Sequence, residues 1–231
     1  MGAHRLLHAA AALALAATAR SAPAQGPRFA VGGGLTLGDH RVDMGFGLEH
    51  STGTLFDLQL SVEVNAKVAV AVLAQAGVLH GGPGATLPRN VAEAGLDARY
   101  RPFPWLDVEG GMRVRSYTTP VGRQRWNLPH LGAAGRVPFA LAGLEGVLGV
   151  ALHPFAAVSG LPDPELAVSS RVGMQYTRGP LTAEVVYALD RYDFARGTVQ
   201  QRLEQYSSIA LRLHVKTAPP LRRAPSPTSG S

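Results

Sequence analysis

Several residue types are scarce in this chain, and each scarcity excludes a class of protein. The 231 residues include no cysteine, which excludes disulfide scaffolds, thiolate zinc sites and cysteine nucleophiles. Only 16% of the residues are charged, against about 25% in soluble globular proteins. Beyond the first thirty positions, no uninterrupted apolar run reaches the ~20 residues that a transmembrane helix requires. Together with 27 glycines, these features favour a membrane β-barrel.

The two ends of the chain differ in composition from its middle. A basic start, the apolar run Leu6–Ala17 and the small residues Ala22-Pro23-Ala24 predict a secretory signal peptide over residues 1–24. Four prolines among the last sixteen residues predict a disordered tail over 216–231. The barrel domain is therefore predicted at 25–215.

The basic character of the sequence resides in these ends. The formal net charge is +6, and five of the basic residues lie outside the barrel domain: Arg5, Arg20, Lys216, Arg222 and Arg223. The folded part is therefore almost neutral. Because nucleic-acid binding needs basic residues clustered on the fold, we expect no nucleic-acid partner.

The middle of the chain alternates apolar and polar residues with a period of two, which is typical of β-strands. In Phe56–Val64, for example, apolar residues occupy every second position. We predict ten strands, at 29–38, 56–64, 67–79, 92–101, 106–115, 130–141, 144–153, 166–177, 181–190 and 204–215. The expected fold is all-β, an antiparallel up-and-down transmembrane β-barrel of about ten strands, with a range of eight to twelve.

The predicted links between strands alternate in length. The short links are 65–66, 102–104, 142–143 and 178–180. The long links are 39–54, 80–91, 118–129, 154–165 and 191–203. Short turns on one side and long loops on the other are typical of outer-membrane barrels. An even strand count then places both chain ends on the periplasmic, short-turn side.

Alternation alone leaves open whether the apolar face meets lipid or fills a soluble, lipocalin-like barrel. Every charged residue in the predicted strands lies on the face opposite the apolar set. That polar face is rich in glycine, and Lys67 is its only lysine. Small residues and balanced charges suit a narrow lumen, so we expect the apolar face to contact lipid.

The chain resembles small bacterial outer-membrane β-barrel proteins of the OmpA/OmpW-like type. Ser207–Leu213 is similar to the final-strand assembly signal of such proteins, in which a polar and a small residue precede spaced apolar ones. The resemblance implies an outer-membrane location, insertion by the barrel assembly machinery and contact with outer-membrane lipid, and we expect a monomer. The strand departs from the pattern by ending on His214-Val215 rather than on an aromatic residue.

Charged residues on the inner face are the candidate functional residues. The predicted lumen-lining set is Asp97, Arg99, Arg101, Asp107, Glu109, Arg113, Arg115, Arg171, Glu184 and Arg212. Adjacent strands would align the first seven as an ion-pair ladder. This ladder would serve either as a structural plug or as a selectivity lining for anions.

The spacing of the histidines establishes no catalytic group. His50-Ser51 falls in a predicted loop, and we interpret the histidines as solvated loop residues. We therefore expect no enzymatic activity, no cofactor and no metal. The predicted function is a structural or narrow-pore outer-membrane barrel. An outer-membrane hydrolase, either an acyl hydrolase or a protease, and a soluble periplasmic binder of apolar ligands are the alternatives.

Overall fold

The computed structural model describes residues 27–45, 47–82, 87–194 and 202–217. None of these residues forms a helix long and apolar enough to cross a membrane. The strands of this part are β1 (Arg28–Asp43), β2 (Leu48–Glu63), β3 (Val68–Gly81), β4 (Arg89–Phe103), β5 (Leu106–Thr119), β6 (Gly122–Pro138), β7 (Leu144–Leu152), β8 (Ala157–Val158), β9 (Leu166–Arg178), β10 (Leu181–Asp193) and β11 (Leu203–Lys216). The predicted signal peptide and nearly all of the predicted tail lie outside the described residues.

Ten of these strands form a closed antiparallel barrel. Each barrel strand pairs with the next along the chain, and β1 pairs with β11 to close the ring. The two-residue β8 lies within the connection from β7 to β9 and pairs with β6. The predicted all-β, up-and-down barrel of ten strands is confirmed.

The strands extend further toward one end of the barrel than predicted. We call this the loop end, where β1 joins β2, and the opposite end the turn end. The predicted long link 39–54 is largely strand, because β1 and β2 pair from Asp43↔Leu48 onward. The predicted link 118–129 is also wrong, since β5 and β6 pair up to Thr119↔Gly122.

The outer wall carries a band of exposed apolar side chains. On β2, Phe56, Leu58 and Leu60 are all half exposed or more, and β11 presents Ile209 and Leu211 in the same way. Inward neighbours in this band are polar or small, as the alternation predicts. Apolar residues on the outside and polar residues on the inside are the arrangement of a membrane barrel.

Near the loop end this arrangement reverses. On β6, Leu131 and Val137 face outward in the band, whereas Arg125 faces outward nearer the loop end. The inward residues there are Trp126 and Leu128, and each is 1% exposed. Beyond the band, β6 therefore has apolar side chains inside and a polar side chain outside, the reverse of its arrangement within the band.

Candidate functional site in the barrel lumen

The pleat of each strand directs every second side chain into the lumen. All ten predicted lumen-lining residues occupy inward positions of β4, β5, β9, β10 and β11. Nine of them have an ion-pair partner within 4 Å. Arg99 has none among the described residues. The inner face thus contains a set of paired charges rather than rows of one sign.

At the turn end, two guanidinium groups hold one buried carboxylate. Arg101 Nε donates to Asp107 Oδ1 at 2.7 Å, and Arg136 Nε donates to Asp107 Oδ2 at 2.8 Å. Arg136 also bonds Glu145. Because Asp107 lies between two strand neighbours, these bonds tie β4, β5 and β6 together along the wall.

One ion pair spans the lumen nearer its middle. Arg171 on β9 donates from Nη2 to both carboxylate oxygens of Glu109 on β5, at 2.5 and 2.6 Å. These two strands are not neighbours in the barrel. The contact therefore crosses the interior and occupies part of the lumen.

A group of three charged side chains lines the opposite wall at a similar depth. Arg212 on β11 donates to Asp57 on β2 at 3.2 Å and lies 3.7 Å from Glu184 on β10. Room for this side chain comes from Gly34, where a Cβ would lie 2.1 Å from Leu211 O and 2.9 Å from Arg212 Cγ. Glycine on β1 therefore places the guanidinium between its two acids.

The most buried charge network centres on Arg115, which is 4% exposed. Its Nε donates to Glu93 on β4 at 2.5 Å, and its Nη2 donates to Asp190 on β10 at 2.7 Å. Asp190 also accepts from Ser169 Oγ at 2.7 Å, and Ser169 lies 2.6 Å from His153 Nε2. This continuous chain of hydrogen bonds joins β4 and β5 to β9 and β10 across the lumen.

Aromatic side chains close the lumen on the loop-end side of Arg115. We call this group the aromatic layer. It consists of Tyr117, Trp126, Tyr192, Phe194 and Tyr206, all at most 7% exposed. The Trp126 and Tyr192 rings lie 4.6 Å apart, and the Arg115 guanidinium lies 4.5 Å from the centre of the Tyr206 ring. Inward-facing apolar residues of six strands pack with it.

Three histidines are not the solvated loop residues that the sequence predicted. His40 and His153 are 1% and 6% exposed, and His130 lies 3.2 Å from Asp97, which also bonds Arg113. His50-Ser51 is part of β2 rather than of a loop. For His40 and His50 the cause is that β1 and β2 continue beyond the apolar band into a predicted link. His130 and His153 stood at the ends of predicted strands, and their side chains lie inside the barrel.

A further group of polar side chains surrounds His40 at the loop end. His40 Nε2 lies 2.7 Å from Glu204 Oε1, and Arg89 Nη1 lies 3.3 Å from His40 Nδ1. Arg202 donates to Glu204 Oε2 at 2.7 Å. Ser51, directly opposite His40 in the register, has a buried Oγ without a hydrogen-bond partner. His40 lay in a predicted link and Glu204 at the start of a predicted strand, so the sequence did not indicate that these two side chains meet.

The described residues contain no cluster of three or more histidine and carboxylate side chains that could hold a metal ion.

Comparison with known proteins identifies the fold. No family model matches the chain, and no curated protein matches it by sequence. The solved structure of the outer membrane protease OmpT from Escherichia coli matches with a TM-score of 0.59 at 12% identity, covering 87% of this chain and 99% of OmpT. The chain has the fold of bacterial outer-membrane β-barrels. At this identity the similarity shows the fold alone.

Two further solved structures match at lower TM-scores. Neisserial surface protein A has a TM-score of 0.39 at 10% identity, covering 82% of this chain and 97% of that protein. The attachment invasion locus protein Ail of Yersinia pestis has a TM-score of 0.38 at 10% identity, covering 83% and 99%.

Proposed function

We propose that this protein is a closed structural barrel of the bacterial outer membrane, with a lumen that does not conduct ions. Signal-directed export, insertion by the barrel assembly machinery, a monomeric state and contact with outer-membrane lipid are parts of the same proposal. Outer-membrane barrels have their longer loops outside the cell and their short turns in the periplasm, so the loop end faces the outside of the cell and the turn end faces the periplasm.

The observation that carries the proposal is the double obstruction of the lumen. Arg115 bridges Glu93 and Asp190 across the interior, and the aromatic layer lies directly on the loop-end side of this bridge. A hydrated ion would have to separate a buried ion pair and then pass side chains packed at van der Waals contact. A ten-stranded barrel is narrow enough for its own side chains to fill.

The soluble alternative conflicts with the distribution of apolar residues. A soluble barrel buries its apolar face, whereas this barrel exposes a band that includes Leu37, Phe56 and Leu131, each at least 60% exposed. Lipid is the solvent that such a band requires.

Recording from the full mature chain in a planar bilayer tests the proposal. We expect no discrete conductance steps after insertion, which is verified separately by the folded, heat-modifiable mobility of the same preparation on gels. The matched variant Trp126→Ala/Tyr192→Ala removes two neighbouring rings of the aromatic layer and shows whether a lumen opened at this level is detected. Reproducible unitary steps from the unaltered protein would contradict the closed lumen and favour the narrow pore.

A further inference from the structure

The loop end of the lumen contains a serine, a histidine and a carboxylate on three consecutive strands of the ring. Ser51 is on β2, His40 on β1 and Glu204 on β11, and all three point inward. None is more than 3% exposed. They lie within three residues of the strand ends, close to the mouth of the barrel.

The hydrogen bonds of His40 determine the tautomer of its imidazole ring. The guanidinium of Arg89 can only donate, so His40 Nδ1, at 3.3 Å from Arg89 Nη1, must accept. The ring proton therefore resides on Nε2, which donates to Glu204 Oε1 at 2.7 Å. Tyr117 stacks on the ring at 4.5 Å between centroids and 5° between planes. The ring is held in one orientation, and its Nδ1 lone pair accepts from Arg89.

Ser51 lies beside this ring, on the neighbouring strand. Directly opposite residues of an antiparallel pair have Cβ atoms about 4.5–5.5 Å apart. Ser51 is the register partner of His40, with its Oγ one bond and Nδ1 two bonds from the respective Cβ atoms. The Ser51 hydroxyl is buried without a hydrogen-bond partner, which is unusual for a serine in a protein interior.

We propose that Ser51 is the nucleophile of a serine-hydrolase site that acts on carboxylic esters. His40 Nδ1 takes the hydroxyl proton as Ser51 Oγ bonds to the ester carbonyl carbon, and Glu204 positions the ring. The protonated His40 then returns this proton to the departing alcohol as the ester C–O bond breaks. Water then gives a proton to the same nitrogen as its oxygen bonds to the acyl carbon, and this proton passes to Ser51 Oγ as the acyl–Oγ bond breaks and the acid leaves.

Arg89 has two parts in this proposal. Its guanidinium, which also pairs with Glu49, must leave Nδ1 before Ser51 can bind there, and the same cation is then available to stabilise negative charge on the ester carbonyl oxygen. Arg89 and Arg202, which contact His40 and Glu204, are about one-fifth exposed, so these two side chains lie between the site and solvent at the mouth of the barrel. An ester would enter from this side without crossing the aromatic layer.

The lumen contains a second serine, histidine and carboxylate, Ser169, His153 and Asp190, but their hydrogen bonds are arranged differently. Ser169 donates its proton to Asp190 at 2.7 Å, so the hydroxyl bonds the carboxylate rather than a histidine lone pair. His153 contacts Ser169 through Nε2, and no carboxylate orients its ring, because Nδ1 has no hydrogen-bond partner. Ser169 is therefore a matched control, a partly buried serine beside a histidine without the geometry for activation.

A fluorophosphonate probe tests the inference with the full mature chain folded in detergent. The reaction forms a bond between Ser51 Oγ and phosphorus, and the phosphorus–fluorine bond breaks with loss of fluoride. Mass mapping is expected to find one adduct on Ser51 in the unaltered protein and in Ser169→Ala, and none in Ser51→Ala. His40→Gln is expected to lower the labelling rate at least about 100-fold, since it removes the base.

Folding of each variant is checked by heat-modifiable mobility, and Glu204→Gln replaces His40→Gln if the latter does not fold. No adduct on Ser51 in the folded, unaltered protein overturns the inference. Labelling of the histidine or glutamate variant at the unaltered rate does so as well. The inference goes beyond the proposed structural role and departs from the expectation of a non-enzymatic barrel. It is independent of conductance, because a conducting barrel would leave the labelling of Ser51 unchanged.

Discussion

At the scale of single residues, the buried charges of the lumen differ in kind from the exposed charges of the wall. Arg115 satisfies two carboxylates that have little access to water, whereas Arg191 on the outer wall bonds Asp193 beside solvent. Burial makes the loss of one partner costly, because the remaining charge stays in a medium of low polarity. Exposed pairs are solvated again when they separate.

Replacing Arg115 with alanine should therefore destabilise the barrel strongly. The change leaves Glu93 and Asp190 without their cation, and we expect a loss of about 3–5 kcal/mol in the free energy of unfolding. Arg191→Ala, one residue from Asp190 on β10, is the control, with an expected loss below about 1 kcal/mol. Urea unfolding in lipid vesicles, followed by circular dichroism, measures both. Equal losses in the two variants would mean that Arg115 is solvated and does not bridge the lumen.

At the scale of strands, the sequence predicted the fold wherever one alternation phase persisted. β9 was predicted at 166–177 and spans Leu166–Arg178, because its apolar residues face lipid along most of its length. β6 was predicted only from 130, although it begins at Gly122. Its apolar residues move from outward positions, such as Leu131, to the inward position of Trp126. When apolar residues are expected at every second position on the same face, the point where they change face looks like the end of the strand.

The inner-face site was predictable only in part, for a related reason. The period of two places Arg115 and Arg171 on the inner face without any knowledge of the barrel. Their partners Asp190 and Glu109 lie on strands that are not neighbours, and only the closed ring brings them within reach. The alignment of Ser51 with His40 depended on the β1–β2 turn, which lay inside a predicted sixteen-residue link.

Two adjacent residues of β6, Trp126 and Arg125, should respond differently to truncation, because near the loop end the apolar side chain faces inward and the polar one outward. Trp126→Ala empties the centre of the aromatic layer, and we expect a loss of about 3–5 kcal/mol in the free energy of unfolding. Its neighbour Arg125 faces outward and is exposed, so Arg125→Ala should change that free energy by no more than about 0.5 kcal/mol. Chemical unfolding followed by circular dichroism compares them. A larger effect at Arg125 would place the two faces of β6 the other way round.

At the scale of the whole molecule, the reversal divides the barrel into two sections with different solvents. The section toward the turn end exposes apolar side chains around its circumference, whereas the outer wall toward the loop end carries polar side chains such as Arg41, Arg125 and Arg191 beside a few apolar ones. Continuous strands connect the two without a break in hydrogen bonding. In the proposed membrane orientation the section toward the loop end forms a rim beyond the lipid, and the Ser51–His40–Glu204 group lies inside this rim.

Single cysteines on the outer wall should locate the boundary between the two sections, and the absence of native cysteine makes each introduced thiol unique. In lipid vesicles, Gln205→Cys on β11 and Thr52→Cys on β2 should react with a membrane-impermeant maleimide, because both positions lie beyond the apolar band. Leu211→Cys and Leu58→Cys, six residues along the same strands and on the same face, are about 20 Å away and should remain unlabelled in lipid. All four should react after unfolding in detergent, which controls for thiol reactivity. Rapid labelling of Leu58→Cys or Leu211→Cys in folded, vesicle-inserted protein would show that water rather than lipid covers the apolar band.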